Sequence, residues 1–418
     1  MERGLAYWAI ALTVLVVSLA ATPFLNRHLG LPELREKIFQ TLGQSGPRAL
    51  RPRYVKVVMI GDDDYWKGEP AGQSPLNRNY LAKLIKALDQ DNVALIALDV
   101  DESLDDPTQA VSPGQEAALP PEQRASTEAL MKAIGAAAEN RSVVLARTFV
   151  DGKLALSADA YQLFGICVRP LAGGQWDNPG APPGYALSPN AKSNITCGHN
   201  SPMKDALQVP PEQGVEGAAF PVDSFALAIA RAWSPPSAAR IGDQAFFATY
   251  LQPKDQADTV VTAGQVLAGD PAVVRALRFK PVIIGGGWSR SGYHSGPTVD
   301  TYPTPVGDMS GVLMHESWAE AILDGHLING MPPWLLEGLE AAFALFATVL
   351  FARYAGLLVK LGLFVGLALL LLLVQWLMLN LAGVFFDASF PLLGVAVHSI
   401  IDRLVEERKE AAPGAAAH

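Results

Sequence analysis

Hydrophobic positions follow three patterns along this chain, and each predicts a different structure. At residues 5–25 the run is unbroken by charge, and three more long apolar runs fill residues 334–353, 359–379 and 381–401. A bilayer core of about 30 Å needs about 20 apolar residues in a helix, so these four runs predict one N-terminal and three C-terminal transmembrane helices. The fourth is the least regular, because it holds Asp387, Pro391 and His398. Glu337 and Glu340 fall in the first turns of the second run, just after Pro332-Pro333, which places them in the headgroup zone.

Between the runs lies a long stretch of mixed character. Val55 to Ile60 and Ala94 to Val100 are short continuous apolar runs that read as buried strands. Leu81, Leu84, Ile85 and Leu88 recur at helical spacing between them. Strand, helix, strand implies parallel strands with a right-handed crossover. Further along, the pattern predicts a helix from Thr127 to Ala138, a strand from Val143 to Val150, and a helix to Trp233 capped by Asp223. Strands follow at Ala245 to Tyr250 and Pro281 to Ile284, then a helix from Gly311 to Leu323. The Pro/Gln-rich stretch 105–124 and the stretch from Cys167 to Cys197 read as surface insertions. The fold class expected is therefore α/β: a mixed or mostly parallel sheet with flanking helices, over residues 35–330, plus the four spans.

Charge sets the orientation. Arg353 and Lys360 lie between the second and third spans, and Arg403, Arg408 and Lys409 follow the fourth, whereas the turn near Asn380 has no basic residue. The positive-inside rule then puts residues 1–4 and the tail 402–418 in the cytoplasm and the 35–330 domain outside, with Trp334 and Trp376 at the outer interface. A second reading of the first run is a cleaved signal peptide ending near Ser18-Leu19-Ala20; the domain is exported in either case. The net charge of −9 argues against nucleic acid as a partner. The two cysteines, Cys167 and Cys197, both lie in the exported part, where an oxidising compartment favours a disulfide; two separate buried thiols are the alternative.

Candidate chemistry gathers where strands end. Asp62 and Asp63 follow the first strand, Asp99 and Asp101 the second, and Gly285 and Gly286 a third, and Asp300 closes a Gly/Ser-rich stretch. Open α/β sheets bind ligands beyond the carboxyl ends of their strands, so these residues form a candidate ligand-binding set, with a small molecule, a peptide or a cation as occupant. The competing reading is structural, because Asp at a strand end caps turns and helices. No catalytic residue, resident metal or cofactor is assigned. His315 to Ala319 opens like a zinc-protease helix but lacks the second His, and Gly287 to Ser291 lacks the last Gly of a nucleophile elbow. His294, His315 and His326 gathering on zinc is a minor alternative, and with it a metal-dependent hydrolase.

Five motifs in order resemble the CHASE2 family, extracytoplasmic sensor domains of bacterial membrane signalling proteins. They are Val57 to Asp63, Ala94 to Val100, Ser224 to Ala228, Gly264 to Gly269 with Pro281 to Gly285, and Pro305 to Gly311 with His315. The one-plus-three arrangement of spans matches as well. The resemblance implies a multi-pass protein of the inner membrane that reads a small-molecule or peptide signal with a periplasmic domain. In this family the last span usually leads into a kinase, cyclase or diguanylate-type output. Here only Asp402 to His418 follow it, so the expectation is relay to a separate partner protein, with a homodimer as the arrangement that family analogy suggests. A scaffold or complex subunit with a periplasmic interaction domain is the second reading.

Overall fold

The computed structural model describes residues 31–72, 76–100, 121–147, 149–150, 153–154, 169–170, 176–177, 187–199, 206–209, 220–238, 248–354 and 357–385. The chain divides into two compact units, one of residues 50–327 and one of residues 1–49 with 328–418.

The first unit is built on a six-stranded sheet. Its strands are β1 (Lys56–Ile60), β2 (Leu95–Asp99), β3 (Ser142–Arg147), β4 (Ile195–His199), β7 (Val260–Thr262) and β8 (Pro281–Gly286), in the order β7-β1-β8-β2-β3-β4. All five pairings are parallel. The crossover expected between β1 and β2 is present, but the two strands are not neighbours, because β8 lies between them and pairs with both. Antiparallel pairs accompany the sheet, the longer ones being β5 (Ala206–Val209) with β6 (Phe220–Asp223) and β9 (Thr301–Thr304) with β10 (Gly307–Ser310).

Side chains alternate across the sheet and feed two cores. Val58, Ile60, Ile96, Leu98, Val143, Leu145, Val282 and Ile284 face helices α1 (Arg78–Gln90), α2 (Pro121–Ala138), α3 (Pro189–Asn194), α5 (Ala263–Leu267) and α6 (Pro271–Leu277). Val57, Leu95, Ala97, Val144 and Ile283 face α4 (Phe225–Trp233) and α7 (Gly311–Asp324). Leu81, Leu84, Ile85 and Leu88 of α1 are fully buried, as their spacing predicts. Asn77 caps that helix through the N–H groups of Asn79 and Tyr80. Gly325, in the left-handed region at φ 68°, stops α7.

Three expectations change. Ser224, not Asp223, caps α4, by accepting the Leu227 N–H at 3.2 Å. Asp223 ends β6 and pairs with Arg231 at 2.8 Å. Residues 248–250 form no strand; Ala248 and Tyr250 are buried in irregular chain whose next residue, Leu251, donates its N–H to Ser317 Oγ at 3.2 Å. Nor does the stretch ending at Cys197 remain on the surface, since β4 is a strand of the main sheet and Cys197 is fully buried. Cys167 lies outside the described residues.

The second unit contains the helices Leu31–Gln44, Pro333–Arg353 and Leu357–Leu377, the last continuing as a wider π turn through Met378–Ala382. Asn380 ties its parts together: its side-chain N–H groups reach the carbonyls of Leu42 and Trp376, both at 3.1 Å, and its carbonyl accepts from Arg48 at 3.2 Å. Phe39 packs edge-on against Phe385. Among the described residues one helical stretch, Gly362–Ala382, is long and apolar enough to cross a membrane. Residues 5–25, and all of the fourth predicted span beyond residue 385, lie outside the described residues.

Two glycines at the carboxyl edge of the sheet set how closely the α4/α7 layer packs. A Cβ at Gly198 would lie 2.6 Å from the Phe225 Cα, and one at Gly285 2.5 Å from the Val312 Cβ. Gly61, by contrast, has open space around it. Gly198→Ala is expected to lower stability by about 1–3 kcal/mol and Gly61→Ala by no more than about 0.5 kcal/mol. Thermal unfolding of the purified full chain, followed by tryptophan fluorescence, checks the contrast.

Candidate functional site

The strand-end residues fall into two groups. In the first, Asp62 is gripped by the loop after β8. Its carboxylate accepts the Ser289 N–H at 2.6 Å and hydroxyl at 2.8 Å, and meets His294 Nδ1 at 2.9 Å. Burial raises the Asp62 pKa, but these hydrogen bonds outweigh it and hold the group below its ordinary value. Asp63 accepts from the Tyr293 hydroxyl at 2.8 Å and pairs with Lys67 at 3.2 Å, and both contacts lower its pKa. Lys67 also sits over the Tyr293 ring. The neighbouring Asp64, not singled out in the sequence, accepts the N–H groups of Gly61 and Gly264 and so joins the end of β1 to the start of α5.

Asp99 and Asp300 form the second group. Met59, Gly285 and Asp99 stand in register across β1, β8 and β2, on the face covered by α4 and α7. His315 Nε2 of α7 lies 3.9 Å from the Asp99 carboxylate. The His315 ring is edge-on to Phe225. The Asp300 carboxylate rests on Gly311 at the start of α7, where an added Cβ would overlap it. The Asp300 backbone is in the left-handed region at φ 51°, and its carbonyl accepts the Gly311 N–H at 2.8 Å. Burial, and secondarily the Asp300 charge, pushes the Asp99 pKa up to about 8. Gly285 is covered by Val312, and a Cβ at Gly286 would meet Trp288. Asp101 lies outside the described residues.

Among the described residues the candidate acids thus make their contacts in two groups, Asp62 and Asp63 with the 289–294 loop and Asp99 and Asp300 at the head of α7. The histidines do not gather on zinc either: His294 meets Asp62, His315 meets Asp99 and His326 meets Asp324. Among the described residues no group of three or more His, Cys, Asp or Glu side chains is placed to hold a metal ion.

Sequence reasoning missed the acids of α7. Glu316, Glu320 and Asp324 recur every four residues on a helix that is otherwise buried. That periodicity was the available signal. Glu320 Oε1 accepts three consecutive backbone N–H groups, from Arg53 at 3.1 Å, Tyr54 at 2.7 Å and Val55 at 2.6 Å. Asp324 accepts from the Arg53 guanidinium at 2.7 Å. Glu316 is fully buried, and among the described residues neither of its oxygens is hydrogen-bonded; the Thr259 hydroxyl near it donates to the Gln256 carbonyl at 2.8 Å. Burial, with the Glu320 charge adding to it, pushes the Glu316 pKa up to about 8.

These acids set a pH dependence whose sign follows from linkage. Asp99 and Glu316 are protonated in the folded state up to about pH 8, against ordinary values of 3.8 and 4.5. The folded chain thus binds more protons than the unfolded chain across that window, and stability falls as pH rises through it. Asp62 and Asp63 act in the opposite sense, below about pH 4. Wild-type protein is expected to unfold at a higher temperature at pH 5 than at pH 8.5. Asp99→Asn and Glu316→Gln should each flatten that difference, by up to about 1.4 kcal/mol per unit of pKa shift removed. A wild type more stable at pH 8.5 than at pH 5 contradicts the assignment.

Comparisons with known proteins place this geometry. No curated protein and no solved structure matches the chain. A family model, the CHASE2 domain, matches residues 11–356, which takes in the whole 50–327 unit. CHASE2 is an extracellular sensor domain family, which is consistent with a sensor role for a membrane-associated chain. On that match, over most of its length, the chain belongs to the CHASE2 domain family.

Proposed function

We propose that this chain is a sensor of the bacterial inner membrane, with residues 50–327 outside the cytoplasm, that detects an extracytoplasmic signal and passes it to a separate partner protein. The CHASE2 match over residues 11–356 carries this reading. Two features of the 50–327 unit support it. The strand-end acids Asp62 and Asp64 spend their oxygens on backbone and side-chain donors of neighbouring loops, an arrangement that favours a non-enzymatic role for them. And α7 runs from the carboxyl edge of the sheet, beside Asp99, to the opposite edge, where Glu320 and Asp324 hold the chain at 53–55. Both connections of the unit, at residues 50 and 327, adjoin that grip. A shift at the head of α7 therefore reaches both. A ligand drives such a shift only by its differential affinity for the two arrangements.

The same saturated carboxylates favour one second reading, a scaffold whose exported domain binds a partner rather than a stimulus. A stoichiometric partner co-purifying with the full chain, unchanged by any stimulus, would select it.

The placement makes two predictions. Alkaline phosphatase fused after Gly330 should be active, and a fluorescent reporter fused after Lys409 should fold in the cytoplasm; the reverse pattern overturns the orientation. In the exported domain we also propose a Cys167–Cys197 disulfide. The denatured chain should then react with maleimide only after reduction, and Cys197→Ser should cost about 3 kcal/mol of stability. Reaction without reductant contradicts the pairing.

A further inference from the structure

Three helices of the 50–327 unit are capped by a hydroxyl in the ordinary way: Ser188 on α3, Ser224 on α4 and Thr262 on α5 each accept a first-turn N–H. Ser310, at the same position on the 14-residue α7, does not. It is 8% exposed, and its hydroxyl has no hydrogen-bond partner among the described residues. Ser310 and Leu313, in the first turn of the helix, line a cavity of about 430 Å³. The cavity adjoins the second carboxylate group, through Met59 and through Ser310 next to the Gly311 on which Asp300 rests, but none of the strand-end carboxylates lines it. Its other walls include Met59, Val260 and Val306, which are apolar, and Gln256 and Asp308. Gln256 is 5% exposed and gives its side-chain N–H to the Met309 sulfur at 3.5 Å, a weak acceptor.

We propose that this cavity binds an uncharged, mainly apolar small molecule carrying one hydrogen-bond acceptor, such as a carbonyl. The size and the apolar walls with few polar groups suit a small-molecule site. The Ser310 hydroxyl and the Gln256 amide, one unpartnered and the other poorly partnered, are donors that such an acceptor satisfies. An anionic ligand is disfavoured, because Asp308 lines the cavity and the Asp300 carboxylate already rests on Gly311. The assignment rests on the sensor reading only in making the occupant a stimulus; its position at the head of α7 would give it that role.

The test uses the full chain in lipid nanodiscs and two fluorinated probes, 4′-(trifluoromethyl)acetophenone and 4-(trifluoromethyl)benzoate, followed by ¹⁹F line width. The ketone is expected to broaden with wild-type protein. Leu313→Trp and Val306→Phe, which fill the cavity from different walls, should each weaken that binding about tenfold or more, and Ser310→Ala about fivefold. Comparison among variants removes partition into lipid. Circular dichroism melting shows which variants fold, and either filling variant suffices. Ketone broadening identical in wild type and a folded filling variant overturns the site, as does benzoate binding more tightly than the ketone. Those results leave the sensor proposal standing. Binding as expected in a chain whose topology reporters are reversed would sink the sensor proposal and keep the site.

Discussion

One carboxylate oxygen organises the 50–327 unit. Glu320 Oε1 takes the backbone N–H groups of Arg53, Tyr54 and Val55 at the entrance to β1. These donors precede the strand and have no ladder to join; the Val55 N–H would be left buried and unpaired without Glu320, at a cost of about 1–3 kcal/mol, while those of Arg53 and Tyr54 are part-buried. The carboxylate is itself fully buried, and burying a charge is repaid only when the donors around it are well placed. Each side thus requires the other. The result fixes the register of α7 against β1, the strand on which β7 and β8 are built.

The strand-end acids serve this architecture more than they define one binding point. Asp62 and Asp64 spend their lone pairs on the 289–294 loop and on the start of α5. Asp99 is buried between the sheet and the α4/α7 layer, where its neutral form is favoured. Sites of perturbed pKa are often functional, but here the perturbation follows from packing an acid under a helix. The cavity at the head of α7 has a different character, with mostly apolar walls, the donors Ser310 and Gln256, and Asp308 among its lining residues. In the proposed arrangement it takes a neutral molecule, while Asp62 and Asp64 hold the frame.

Much of the frame was legible. Strands β1, β2 and β8 are covered on both faces, so each appears in the chain as a continuous apolar run. Strand β4 was not legible, because Thr196, Gly198 and His199 interrupt its pattern, and Gly198 is there to admit the backbone of Phe225. Strand β7 has only three residues, none of them fully buried. Residues 248–250 misled for the converse reason: a buried irregular segment is as apolar as a strand. For the site, the positions of Asp62 and Asp99 could be read but not their partners. Ser289 lies 227 residues beyond Asp62, and only the insertion of β8 beside β1 brings the loop carrying it into reach. His315, which was part of a quoted motif, did arrive beside Asp99.

That insertion has a bearing on how the chain is made. Strand β8 is central, pairing with β1 on one side and β2 on the other, yet it comes from residues 281–286, late in the unit. Until it has been synthesised, β1 and β2 each present a bare edge to their surroundings, and bare edges invite pairing with foreign strands. Closing the sheet also demands contacts between residues more than 200 apart, the kind of long-range topology that slows folding. The incomplete chain is therefore the vulnerable species, and a chaperone that shields strand edges would be needed most during that interval.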